Sequence, residues 1–144
     1  MRVLREEDRL SLNFPIQRGT RCESSEALID GLGVEPIECY RPSEYLALLG
    51  TSTDVAGLVP DFRVLETLDL HGVIVTAHGE SKDFVSRFFA PKSGIDEDPA
   101  TGSAHCTLSP YWADKLGKDI LTATFCITIK VNMYLLIHYN IIQI

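Results

Sequence analysis

The chain has 144 residues, 45% hydrophobic and 23% charged, with 20 acidic against 13 basic side chains and a formal net charge of −7. That is one domain's worth of chain with enough apolar residues for a core, and the acidic balance argues against nucleic-acid binding. Four scattered cysteines, Cys22, Cys39, Cys106 and Cys126, form no CxxC pair, so reduced thiols are expected rather than a zinc module or a disulfide framework.

The charged start, Met1 to Asp8, lacks a secretory apolar stretch, which makes the cytoplasm the expected compartment. Leu10-Ser11-Leu12-Asn13-Phe14 alternates apolar and polar and is closed by Pro15, the pattern of a half-buried strand. Residues 18–21 read as a polar linker. Ser24 to Gly33 carries a capping serine, an early acid, an apolar stripe and terminal glycines, hence a short helix.

Val34 to Tyr40 and Tyr45 to Leu49 read as strands joined by the turn Arg41-Pro42-Ser43-Glu44. Thr53 or Asp54 is placed to cap a helical turn through Leu58, and Pro60 to open a second helix over Asp61 to Leu68. Gly72 to Ala77 is a buried-strand candidate, and Phe84 to Phe89 another, ended by Pro91. His71 and His78 bracket the first of these as turn residues. The order of elements predicts an α+β fold with a mostly antiparallel sheet.

The richest stretch follows, Asp96-Glu97-Asp98-Pro99-Ala100-Thr101-Gly102-Ser103-Ala104-His105-Cys106, on a loop that runs into a helix. Ala104, Leu108, Tyr111, Trp112 and Leu116 fall on one side of that helix, and Gly117 is placed to stop it. Ser103 or Thr101 would be the N-cap. Pro110, inside the helix, predicts a kink or a break. Two readings stand side by side: an ordinary capped helix with solvated acids, or a carboxylate beside an anion-friendly helix end.

From Ile120 onward the only formal charge is Lys130. Ile120 to Ile129 alternates well enough for a strand. Beyond Lys130 no period is visible, and residues 125–144 read as an atypical apolar tail, an altered terminus rather than a native one. A membrane anchor is not expected, because Asn132, His138, Asn140 and Gln143 interrupt the run of about 20 apolar residues a span requires.

Phe88-Phe89-Ala90-Pro91, the Glu97-Asp98-Pro99-Ala100-Thr101-Gly102-Ser103-Ala104-His105 run, Pro110-Tyr111-Trp112 and Lys115-Leu116-Gly117-Lys118 together resemble the second half of the phenazine-biosynthesis-like (PhzF-type) isomerase family. The similarity extends from about Leu4 to Thr124. It implies one domain, residues 1–124, of the diaminopimelate-epimerase-like fold, an incomplete α+β unit with a sheet wrapped around a central helix. The helix after Ser103 would be that central helix, with Trp112 in its core.

The family's activity implies an isomerase that moves a proton on a small carboxylate-bearing metabolite, a dihydro-hydroxyanthranilate in the best-understood case, with no cofactor or metal. By the same resemblance the catalytic residues are Asp98, the acid–base carboxylate, and Ser103, whose hydroxyl hydrogen-bonds the substrate; Gly102, whose backbone approaches the ligand closely, and Thr101 bind the substrate. The family's first-domain glutamate has no counterpart before Asp96, so impaired catalysis is expected. The alternative is a non-catalytic remnant acting only through association with another chain. A homodimer is the expected assembly. Cys106 reads as a core thiol, His105 as either a site or a packing residue, and Asp96 and Glu97 as solvated loop charges.

Overall fold

The computed structural model describes residues 2–6, 9–13, 15–99, 101–126, 134–138 and 141–143. Phe14, expected at a strand end, and residues 127–133 of the expected strand and tail lie outside that set.

The first strand of the sequence is a hairpin, β1 (Arg2–Glu6) against β2 (Arg9–Asn13). The supposed linker at 18–21 runs into a strand, β3 (Thr20–Cys22), because β4 (Glu38–Arg41) offers it an edge to pair with. Between them α1 (Glu26–Leu32) starts where the Ser25 hydroxyl accepts the Leu28 amide at 3.2 Å and ends at Gly33, φ 74°. That is the capped helix the sequence predicts, stopped by the residue type that tolerates a left-handed backbone.

β4 begins at Glu38 rather than Val34 and turns back into β5 (Tyr45–Leu48). Thr51, not Thr53 or Asp54, caps α2 (Ser52–Gly57); its hydroxyl accepts the Asp54 amide while Asp54 returns the bond, a capping box. The second helix, α3 (Phe62–Leu65), is shorter than expected and is capped by Asp61. β6 (Val73–His78) and β7 (Phe84–Ala90) follow as predicted, except that His78, expected in a turn, is the last residue of β6 and pairs with Phe84. The Asp96 region is not a loop: β8 (Ile95–Asp98) pairs antiparallel with β7. After α4 (His105–Leu116) come β9 (Ile120–Phe125), β10 (Tyr134–His138) and β11 (Ile141–Gln143).

The strands form one mixed sheet in the order β1-β2-β11-β10-β9-β7-β6-β5-β4-β3, with β8 beside β7. Pairing is mostly antiparallel; β5–β6 and β7–β9 are parallel. β8 and β9 occupy opposite ends of the same β7 edge, and α4 is the crossover between them.

Along β5, β6 and β7 alternate residues serve two cores. Leu46, Leu48, Ile74, Phe84 and Phe88 pack with Ala104, Leu108 and Trp112 of the α4 region. Tyr45, Ala47, Val73, Val75, Val85 and Phe89 pack with Leu28, Leu32, Val55 and Leu65 of the three short helices. Burial on both faces explains why these strands read as nearly continuous apolar runs.

Helix α4 is buried over His105 to Pro110 and again at Trp112 and Ala113. A helix buried on nearly every side is a core helix inside a curled sheet, as the α+β reading requires. Trp112, 1% exposed, stacks on Phe84 at 5.7 Å and donates its indole N–H to Thr76 Oγ1 at 2.9 Å. Of the kink or break expected at Pro110, the break does not occur: α4 is continuous through it. The proline removes the amide that would have bonded the Cys106 carbonyl, and Gln17 supplies the missing donor at 2.8 Å. The expected break becomes a docking point for residues 15–19.

Candidate active site

The register of β8 decides which carboxylate faces which way. Paired residues on adjacent strands share a face of the sheet. Asp98 pairs with Phe88 and Glu97 with Phe89. Phe88 belongs to the α4 core and Phe89 to the opposite one, so Asp98 lies on the α4 side and Glu97 on the other.

Glu97 is therefore not a solvated loop charge. Its side chain is 15% exposed and takes a two-pronged bond from Arg87, at 2.7 Å from Nε and 2.8 Å from Nη2. Arg87 Nη1 donates to the carbonyls of Val55 and Leu58 at 3.0 and 2.7 Å, and the guanidinium lies 4.9 Å from the Phe89 ring centroid. This clamp ties β8 to β7 and α2 at the residue before Asp98. Asp98 is half-buried, and Asp96 is exposed as expected.

Pro99 follows Asp98 and cannot donate to a ladder, so the strand ends there. The sequence predicts Ser103 or Thr101 as the cap of the next helix; the residue at the cap position is Ala104, with no side-chain cap bond. The reason is a tight first turn. The amides of His105, Cys106 and Thr107 bond the carbonyls of Gly102, Ser103 and Ala104 at 3.1, 3.0 and 3.1 Å, three residues back rather than to a hydroxyl.

Ser103 is thus exposed and Gly102 half-buried at the helix mouth. The amides of Gly102, Ser103 and Ala104 precede the first helical turn and have no acceptor within the helix. Together with the positive end of the dipole they favour an anion. Thr101 turns inward: it is 9% exposed, and its Oγ1 has no hydrogen-bond partner among the described residues. Its carbonyl accepts His105 Nδ1–H at 3.1 Å. His105 is 1% exposed, and burial pulls its pKa down to about 4. A neutral, inward histidine fastens the loop that carries Gly102 and Ser103.

Glu44 carried no signal in the sequence beyond membership of a turn. It is 6% exposed, accepts from the Ser43 hydroxyl, and lies 3.3 Å from His71 Nε2. Burial pushes the Cys106 thiol up, and the Glu44 charge adds to it. A Cβ on Gly72 would meet Phe88 Cζ at 2.6 Å and Glu44 Cγ at 3.2 Å. Glycine is what lets those two side chains close on each other, and Phe88 is the partner of Asp98.

A cavity of about 350 Å³ opens on another side of α4, lined by Gln17, Glu38, Tyr40, Thr107, Tyr111 and Lys115 among others. Burial alone would raise the Glu38 carboxyl, but hydrogen bonds from Tyr111 at 2.8 Å and Lys115 at 3.2 Å hold it below the usual value. Asp98, Gly102 and Ser103 do not line this cavity. Among the described residues no three His, Cys, Asp or Glu side chains group as a metal site, and no helix is long and apolar enough to cross a membrane.

Comparison with known proteins defines the class. The family model for phenazine biosynthesis-like proteins matches residues 14–131. A Pseudomonas aeruginosa protein named an uncharacterized isomerase is 50% identical over 127 residues, 88% of this chain and 49% of its own length. A mouse phenazine biosynthesis-like domain-containing protein 2 is 34% identical, over 88% of this chain and 51% of its own. A PhzF-family crystal structure from Enterococcus faecalis matches at TM-score 0.89 and 37% identity, covering 98% of this chain and 55% of that one.

The chain belongs to the phenazine biosynthesis-like family, and the family's diaminopimelate-epimerase-like fold accounts for the sheet curled around α4. It spans about half the length of the curated relatives it matches.

Proposed function

We propose that this chain supplies the Asp98 side of a cytoplasmic isomerase that moves a proton on a small carboxylate-bearing metabolite, using its own side chains as acid and base. The observation that carries the reading is the β7–β8 register, which sets Asp98 on the α4 face while the Arg87–Glu97 clamp fixes the strand behind it. Asp98 takes and returns the proton; Ser103 hydrogen-bonds the substrate; Gly102 brings its amide close to the substrate carboxylate, and Thr101 shapes the loop that holds it. The names of the isomerase relatives support the reaction class.

The test is proton exchange. Purified protein is incubated with the dihydro-hydroxyanthranilate in deuterium oxide, and loss of the ring C–H signal is followed by NMR. Exchange that falls by about 100-fold or more in Asp98→Asn supports the assignment, the usual range for removing an acid–base group. Exchange that persists in the variant, or none in the wild type, overturns it.

A further inference from the structure

Cys22 and Cys39 sit directly opposite each other in the β3–β4 ladder, and their sulfurs are 3.1 Å apart as free thiols. Residues facing each other across an antiparallel pair have Cα separations of about 4.5 or 5.5 Å, and both values lie within the range that a disulfide spans. No backbone movement is needed to join these two.

The pair is also reachable. Cys22 is half-buried and Cys39 only 2% exposed, and both line a surface cleft of about 540 Å³ together with Arg21, Ser24 and Glu35. Burial, reinforced by the neighbouring Cys22, pushes the Cys39 thiol up to about 12, so Cys22 is the thiol that meets an oxidant first.

We propose that Cys22 and Cys39 form an oxidative modification site, closed to a cross-strand disulfide by a low-molecular-weight disulfide. The Cys22 thiolate attacks one sulfur of the small disulfide, forming a mixed disulfide and releasing one small thiolate. Cys39 gives up its proton and attacks the Cys22 sulfur, forming the internal bond and releasing the second small thiolate. Two protein thiols are oxidised and one small disulfide is reduced to two thiols. The contact between the sulfurs makes the second step intramolecular and fast relative to reduction of the mixed species.

Closure staples the three-residue strand β3 to β4. β3 follows residues 15–19, which dock on α4 through Gln17 and form one wall of the 350 Å³ cavity. Oxidation therefore stiffens that wall and the sheet edge it leads into.

The experiment equilibrates the full chain with reduced and oxidised glutathione at fixed ratios, traps remaining thiols by alkylation, and maps peptides without reduction. The expected result is a species lighter by two hydrogens, with Cys22 linked to Cys39, Cys106 and Cys126 alkylated, and slower hydrogen exchange at β3 amides. In Cys39→Ala, Cys22 is expected to stop at the glutathione adduct. Should that variant fail to fold, the wild-type map alone decides. Glutathione held on Cys22 in the wild type, or Cys22 and Cys39 both alkylated at a ratio that fully oxidises a control dithiol, overturns the proposal.

Discussion

Glu97 and Asp98 are adjacent and equally acidic, yet the pleat of β8 sends them to opposite faces of one sheet. On the face away from α4, Glu97 is engaged by Arg87, and Arg87 in turn satisfies two carbonyls of the α2 region. On the α4 face, Asp98 pairs with Phe88, and Ser103 is exposed just before the helix begins. The first face commits its carboxylate to a buried guanidinium; the second carries the loop of Thr101 to Ser103 at the start of α4. Register alone decides which face each carboxylate occupies.

The largest effects should come from breaking the closed face. Arg87→Ala leaves a buried carboxylate without its cation and two carbonyls without a donor. A loss of about 3–5 kcal/mol in urea unfolding is expected, as for other broken buried pairs. Glu97→Gln should cost a comparable amount, about 3 kcal/mol, because it strips the charge from a buried guanidinium. If either variant unfolds within 1 kcal/mol of the wild type, as only a solvent-exposed pair would, the distinction between the faces fails.

Histidine 105 gives the open face its own signature. Its pKa falls from 6.5 to about 4 in the folded chain, because burial penalises the charged ring. Below pH 6.5 the unfolded chain takes up a proton that the folded chain refuses, so stability is full above 6.5 and declines as pH falls towards 4. The span corresponds to about 3 kcal/mol. The lowered carboxylates Glu38, Asp69 and Asp83 begin to lose their contribution only as pH falls through their ordinary values of 4.5 and 3.8, so the upper part of the window, from 6.5 to about 5, reports the histidine. Urea midpoints measured across it should slope downward in the wild type and flatten in His105→Gln.

Much of this architecture is legible in the sequence because its causes are local. Ser25 and Gly33 bracket α1 as capping chemistry dictates, and the apolar run of β6 reads as a strand buried on both faces. Ser25→Ala is accordingly expected to cost about 1 kcal/mol, measured in the same unfolding assay. What the sequence hides is set by distant partners. β3 exists because β4 presents an edge, and Pro110 is tolerated because Gln17 bonds the carbonyl it leaves bare. The Arg87–Glu97 clamp and the Glu44–His71 contact join residues 10 and 27 positions apart, beyond what spacing can reveal. The candidate site is legible through a resemblance carried by its motif, whereas its supports are set by the register of the sheet.

The smallest expected change in stability is also the one that separates the two faces most sharply. Asp98→Asn keeps an acceptor oxygen and nearly the same volume, and it removes a charge from a half-buried position. Its unfolding free energy should fall by less than that of Glu97→Gln, because the amide keeps an acceptor and the shape of the side chain, while proton exchange is lost. Glu97→Gln should show the converse: a large stability loss, with the exchange rate per folded molecule reduced only as far as β8 shifts. Should Asp98→Asn instead destabilise the fold as much as Glu97→Gln, the carboxylate on the α4 face would be a second structural anchor, and the mouth of α4 would have to find its acid–base group elsewhere, with the buried Glu44 the next residue to replace.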